Sequence, residues 1–157
     1  MFNIVLVNPE IPGNSGTIGR LAVNTGCKLH LIKPLGFDID DKAVKRAGLD
    51  YWQKLNPTVW ENFDEFLEVH GKNSDRFFLA TTKTDRNFFD VDYREGDYLL
   101  FGSETKGLPV EIREKFKDGT ITIPMTKDGR SLNLAVSVGI VVYKAIEQNF
   151  SQFKSLD

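Results

Sequence analysis

Cysteine and histidine are scarce in this chain. Cys27 is the single cysteine among 157 residues, which excludes an intrachain disulfide and any metal cluster built on thiolates. His30 and His70 are the two histidines. They stand far apart in the sequence and supply neither a metal-ligand cluster nor an obvious histidine base; no metal is expected. No apolar run reaches the length of a bilayer span, and the N-terminus carries no signal-peptide pattern. A cytoplasmic location without membrane association is therefore expected. Excess positive charge is missing as well: 20 basic residues face 22 acidic ones, a net charge of −2. Affinity that rests on phosphate neutralisation concentrates cations, so any nucleic-acid binding must use local clusters. The candidates are Lys42, Lys45 and Arg46; Lys83 and Arg86; Lys106; and Lys127 with Arg130. Each is otherwise a solvated surface charge.

What is present is an ordinary globular composition, 41% hydrophobic and 27% charged. The length suits one domain over residues 1–157. Apolar, β-branched runs alternate with longer amphipathic ones, the pattern of an α/β domain with a mostly parallel sheet and helices on both faces. Strands are predicted at 2–7, 28–32, 76–80, 97–101 and 119–123, and helices at 15–25, 40–47, 63–70, 109–116 and 133–149. Asp40 suits a helix N-cap, Pro109 a first-turn position, and Gly26 and Gly48 helix C-termini.

Three donor-rich segments interrupt this alternation. Pro9-Glu10-Ile11-Pro12-Gly13-Asn14-Ser15-Gly16-Thr17-Ile18-Gly19-Arg20 follows the first strand. Phe101-Gly102-Ser103-Glu104-Thr105-Lys106-Gly107-Leu108-Pro109 follows the fourth, and Ile123-Pro124-Met125-Thr126-Lys127-Asp128-Gly129-Arg130-Ser131-Leu132-Asn133-Leu134 follows the fifth. Open α/β sheets bind ligands at such strand-to-helix joints, and binding residues concentrate on loops held by a rigid scaffold. The plainer reading of the third segment is a capped helix start, with Ser131 or Asn133 bonding free amides. Gly13, Gly16 and Gly19 lack the G-x-G-x-x-G spacing of a dinucleotide fingerprint, which ranks a nucleotide-binding oxidoreductase last.

The final helix carries Leu132, Leu134, Val136, Val138, Ile140, Val141, Val142 and Ile146 around all sides. A helix apolar all round is buried, and one sheet covers only one side of it. With Ala135, Ser137 and Gly139 allowing close approach, it is expected to form a homodimer interface.

Asn14-x-Gly16-x-x-x-Arg20, then Phe101-Gly102-x-Glu104-x-x-Gly107-Leu108, then Ile123-Pro124-Met125 through Ser131-x-Asn133-Leu134 occur in that order. This resembles the three motifs of the SPOUT class of RNA methyltransferases. The small size and Arg46-Ala47-Gly48-Leu49-Asp50-Tyr51 look like its single-domain branch, which includes 2'-O-methyltransferases acting on the wobble nucleotide of tRNA. The resemblance implies a C-terminal trefoil knot, although knots are otherwise essentially absent from folds. It implies S-adenosylmethionine as cofactor, held by Ala80, Gly102, Ile123, Met125, Ser131 and Leu132, and tRNA as partner. Methylation of another tRNA or rRNA site, or RNA binding without catalysis, are the alternatives it leaves.

The catalytic set implied by the resemblance is Arg20, Asn14, Glu104, Ser131 and Asn133. Arginine is an awkward general base, because a guanidinium does not readily give up its proton. Either Arg20 loses a proton transiently in a desolvated site, or it fixes the ribose and an adjacent phosphate while another group takes the proton; energetics favour the second. Asn14 is expected to brace its loop against Glu104, and Glu104 to orient Arg20. Some members continue after Asn133-Leu134 with Ser-Asn, whereas this chain has Ala135-Val136 and so lacks two polar groups there. Tyr143 is a candidate to face a partner subunit or RNA, or to fill the core.

Overall fold

The computed structural model describes residues 1–40, 42, 46 and 52–153. The predicted helix at 40–47, its Gly48 cap, Lys45 and the stretch 47–51 fall wholly or mainly outside the described residues. Among the described residues six strands form one sheet: β1 (Asn3–Val7), β2 (Lys28–Ile32), β3 (Thr58–Trp60), β4 (Phe77–Ala80), β5 (Tyr98–Phe101) and β6 (Thr120–Ile121). Their order is β3-β2-β1-β5-β4-β6, and every pairing is parallel. The described helices are α1 (Pro12–Thr25), α2 (Trp52–Leu55), α3 (Phe63–His70), α4 (Val110–Lys115) and α5 (Leu134–Gln148).

Strand side chains alternate between two cores. Ile4, Leu6, Leu29, Leu31, Phe78, Leu99 and Phe101 pack on one face with Ile18 and Ala22 of α1 and with Val138, Val141 and Val142 of α5. Val5, Val7, Phe77, Leu79, Tyr98 and Leu100 pack on the other, with Phe66 of α3 and Ile112 of α4. Both faces are covered, as an all-parallel sheet requires, so the predicted α/β class holds. The sequence reading missed β3, a three-residue edge strand paired with β2 alone. It overextended β6, where Thr122 makes a lone bridge to Asn87 and the chain then leaves the sheet before Pro124, which has no amide to donate.

The first glycine-rich segment is mostly helix rather than loop. α1 begins at Pro12, whose ring presets the helical φ, and not at residue 15. Gly19 makes room for α2: a Cβ there would lie 2.9 Å from Leu55 and 3.0 Å from Trp52. Gly26 ends α1 at φ 73°, as its predicted C-cap role demands.

Strand order reverses between β1 and β5. Their C-terminal ends therefore deliver the residue 8–11 and residue 102–109 loops side by side, at the switch point of the sheet. The opposite end is tied by Arg76, which donates two 2.7 Å hydrogen bonds to the buried Asp97. Also at that end, the Trp60 indole donates to Nδ1 of His30 at 3.2 Å, leaving Nε2–H to donate to Asn3. Burial, reinforced by His70 and Lys28, pushes the His30 imidazole down to about 4. His30 is structural: it is buried between Leu29 and Leu31 of β2 and held by Trp60 and Asn3.

Candidate active site

Loop 102–109 owes its shape to its glycines. Ser103 and Gly107 pair across it through two backbone hydrogen bonds of 3.3 and 3.0 Å, and Gly107 adopts φ 69°. A Cβ on Gly102 would collide with the backbone of Gly107 and Leu108. Gly102 is thus required by the loop folding back on itself.

The fold-back aims Glu104 at the neighbouring loop. Its carboxylate accepts from the amides of Glu10 at 2.8 Å and Ile11 at 2.6 Å, and from Asn14 Nδ2 at 3.2 Å. Glu10 answers in the other direction, accepting from the Thr105 hydroxyl at 2.6 Å and the Thr105 amide at 3.3 Å. Hydrogen bonds from Thr105 and then Ser103 hold the Glu10 carboxyl below the ordinary glutamate value.

The third segment joins through one residue. Asn133 caps α5, its Oδ1 accepting from the Val136 amide at 3.1 Å. That bond fixes the amide's orientation, so Nδ2 is left to donate to Asn14 Oδ1 at 3.2 Å. Asn14 Nδ2 is turned in consequence toward Glu104. The capping role and the site role of Asn133 are both realised, and a relay runs Asn133 to Asn14 to Glu104 across all three segments.

Beside this relay lies a cavity of about 360 Å³. Ala80, Gly102, Ile123, Met125, Ser131 and Leu132, the six residues singled out for cofactor binding, all line it, and so does Glu104. Arg20 is exposed on α1 and is not among the lining residues, nor are Asn14 and Asn133, which reach the cavity only through Glu104. Thr81, Lys83, Ser103, Thr105, Lys106 and Arg113 contribute polar lining. Glu10 and Thr105 escaped the sequence reading because their partnership spans 95 residues; only the position of Thr105 beside Glu104 hinted at it.

Of the basic candidates, Lys83 and Lys106 reach the cavity, while Lys42, Arg46, Lys127 and Arg130 are exposed elsewhere. Arg86 donates to the Asp118 carbonyl at 2.8 Å and stands over the Phe78 ring, a structural use. Among the described residues no cluster of metal-ligating side chains occurs. No described helix is long and apolar enough to cross a membrane.

The cavity suits S-adenosylmethionine. Its size falls in the range of small-ligand pockets, and it joins an apolar wall (Ile123, Met125, Leu132, Leu134) to hydroxyl groups and loop backbone. Comparison with known proteins gives the same direction. Residues 1–143 match the SpoU rRNA Methylase family. A tRNA (cytidine(34)-2'-O)-methyltransferase of Escherichia coli K12 is 48% identical over 149 residues, 94% of each chain. A structure reported for the 2-OH methylation of C/U34 on tRNA superposes with a TM-score of 0.91 at 43% identity, covering 96% of this chain and 97% of that one. The SpoU methyltransferase AviRb of Streptomyces viridochromogenes, in complex with AdoMet, gives 0.85 at 26% identity, over 95% of this chain and 58% of its own.

Proposed function

The chain belongs to the SpoU rRNA Methylase family, and on that premise we propose that it moves a methyl group from S-adenosylmethionine to the ribose 2'-oxygen of the tRNA wobble nucleotide, cytidine or modified uridine at position 34. The observation that carries this reading is the Asn133–Asn14–Glu104 relay at the edge of the cavity. It ties the three segments together through side-chain hydrogen bonds of 3.2 Å.

Ala80, Gly102, Ile123, Met125, Ser131 and Leu132 would hold the cofactor. Bound there, S-adenosylmethionine supplies a methyl group already activated on a sulfonium. The protein's task is then to align a ribose hydroxyl and ease the loss of its proton; alignment contributes on the order of 7–11 kcal/mol in well-oriented systems. Arg20, exposed on α1 outside the cavity lining, is suited to grip the ribose and its phosphate with a planar, bidentate fork. Asn14 and Asn133 act as positioning residues, keeping Glu104 and the start of α1 in place.

The reading extends to a single-domain homodimer joined through α5, acting on tRNA in the cytoplasm. Its support is the outer face of α5. Val136 is 50% and Tyr143 53% exposed, with Ile140 between them and open space beside Gly139. Tyr143 is therefore surface, not core. Val138 and Val142, in contrast, are fully buried against the sheet. The reading also includes the C-terminal knot. Its support is that Thr122, on the way from β6 to α5, runs along the residue 86–88 loop, donating to the Arg86 carbonyl at 2.8 Å and accepting from the Phe88 amide at 3.0 Å.

Incubation with bulk tRNA and labelled methyl donor, followed by mapping of the modified nucleoside, tests the proposal. Label in a 2'-O-methylated nucleoside at position 34 is expected; label confined to another position, or none, overturns it.

A further inference from the structure

On the far side of the residue 102–109 loop lies a second cavity, of about 650 Å³. It shares Ser103, Lys106, Gly107, Leu108 and Arg113 with the cofactor cavity, so one loop and one helix face form a common wall. Its remaining lining is chiefly apolar: Pro34, Leu35, Pro109 and Val110, with Asn8 and Glu10 at the β1 end.

This second cavity is built rather than incidental. Gly36 donates to the Pro9 carbonyl at 2.9 Å, and a Cβ on Gly36 would lie 2.7 Å from the Glu10 backbone. Asn8, at φ 55°, bonds the Ile32 carbonyl through both its amide at 3.0 Å and its side chain at 3.3 Å. The two strand ends are thus locked together, and the Glu104 and Glu10–Thr105 bonds lock them to the shared loop.

Resting on the RNA-methyltransferase reading above, we propose that this second cavity is a nucleotide subsite for the RNA substrate. A base lies on the Pro34–Leu35–Val110 surface, and its phosphate sits at the Lys106 and Arg113 rim. The charges fit that orientation. The two cations lie on the wall shared with the reaction cavity, where the strand must pass, and the Glu10 carboxylate beside that wall is taken up by the Thr105 hydroxyl and amide. Pro34, Leu35 and Val110 carry no side-chain donor or acceptor, so their contact with a base face does not depend on which base it is. A strand threaded here passes over the loop that also walls the cofactor cavity, which couples RNA seating to the reaction centre. Neither Pro34 nor Val110 lines the cofactor cavity, so the two sites can be separated by mutation.

The test is Val110→Asp. Val110 is 51% exposed and opens α4, where an added carboxylate favours the helix and leaves the fold intact. Val110→Leu serves as the conservative control. Three quantities are read: S-adenosylmethionine affinity by calorimetry, tRNA affinity by filter binding, and KM for tRNA. The expected result for Val110→Asp is tRNA affinity roughly five- to tenfold weaker and KM raised to match, cofactor affinity unchanged, and Val110→Leu near the parent. Unchanged tRNA affinity overturns the proposal, and so does a parallel loss of cofactor affinity, which would place Val110 in the first cavity's function. Should the parent chain bind tRNA yet methylate none of it, the activity reading fails while the binding comparison still decides the subsite.

Discussion

Replacing Glu104 with alanine removes the residue on which two loops and one helix start converge. Three hydrogen bonds disappear, to the Glu10 amide, the Ile11 amide and Asn14. Hydrogen bonds to a carboxylate contribute roughly 1.5–3 kcal/mol each, but the full sum overstates the loss. Ile11 is exposed and Glu10 partly so, and their freed amides reach water. A net cost of about 2 kcal/mol follows, which for a chain of this size lowers Tm by about 4–8 °C. The same energy opens the residue 8–11 loop relative to the cavity and lowers kcat/KM roughly 30-fold. Glu104→Gln is the sharper variant. Its new amide group faces donors, and Asn14 cannot turn to accept because Asn133 is oriented by the Val136 amide. Gln should therefore recover less than half of the loss despite its equal size. Calorimetry and a methyl-transfer assay read both effects. A Glu104→Ala protein within about 1 °C of the parent in Tm and within twofold in kcat/KM would refute the clamp.

Three further outcomes are expected. Arg20→Ala should abolish methyl transfer while leaving S-adenosylmethionine affinity within a few-fold, since Arg20 is not part of the cavity lining; retained turnover would remove its assigned role. His30 should titrate near 4 by imidazole NMR. Because the folded form binds that proton less readily than the unfolded one, the neutral ring's contribution, about 3 kcal/mol, is complete above the ordinary histidine value and is lost as pH falls toward 4; a midpoint near the ordinary value would contradict the Trp60–His30–Asn3 arrangement. Tyr143→Glu or Val136→Asp should turn a dimer into a folded monomer in sedimentation, whereas a native chain that already sediments as a folded monomer would dismiss the α5 interface.

The sequence by itself determined the α/β alternation, the full-face burial of the central strands and the three segments that meet at the switch point. Those properties are local: β-branched apolar runs prefer a doubly covered sheet, and glycine and asparagine mark where the chain must turn or cap. Motif order, rather than any visible geometry, also picked out six residues that line one cavity. Tertiary structure decided the rest. That Gly102 yields to its own loop, that Gly19 admits α2, and that Glu10 and Thr105 answer Glu104 are facts about chain crossings and partners 95 residues apart. The apolar periodicity of α5 could not distinguish Val138 and Val142, which face the sheet, from Val136 and Tyr143, which face outward. Which side is covered depends on where the strands lie, and hydrophobicity, being non-directional, does not record that in one helix.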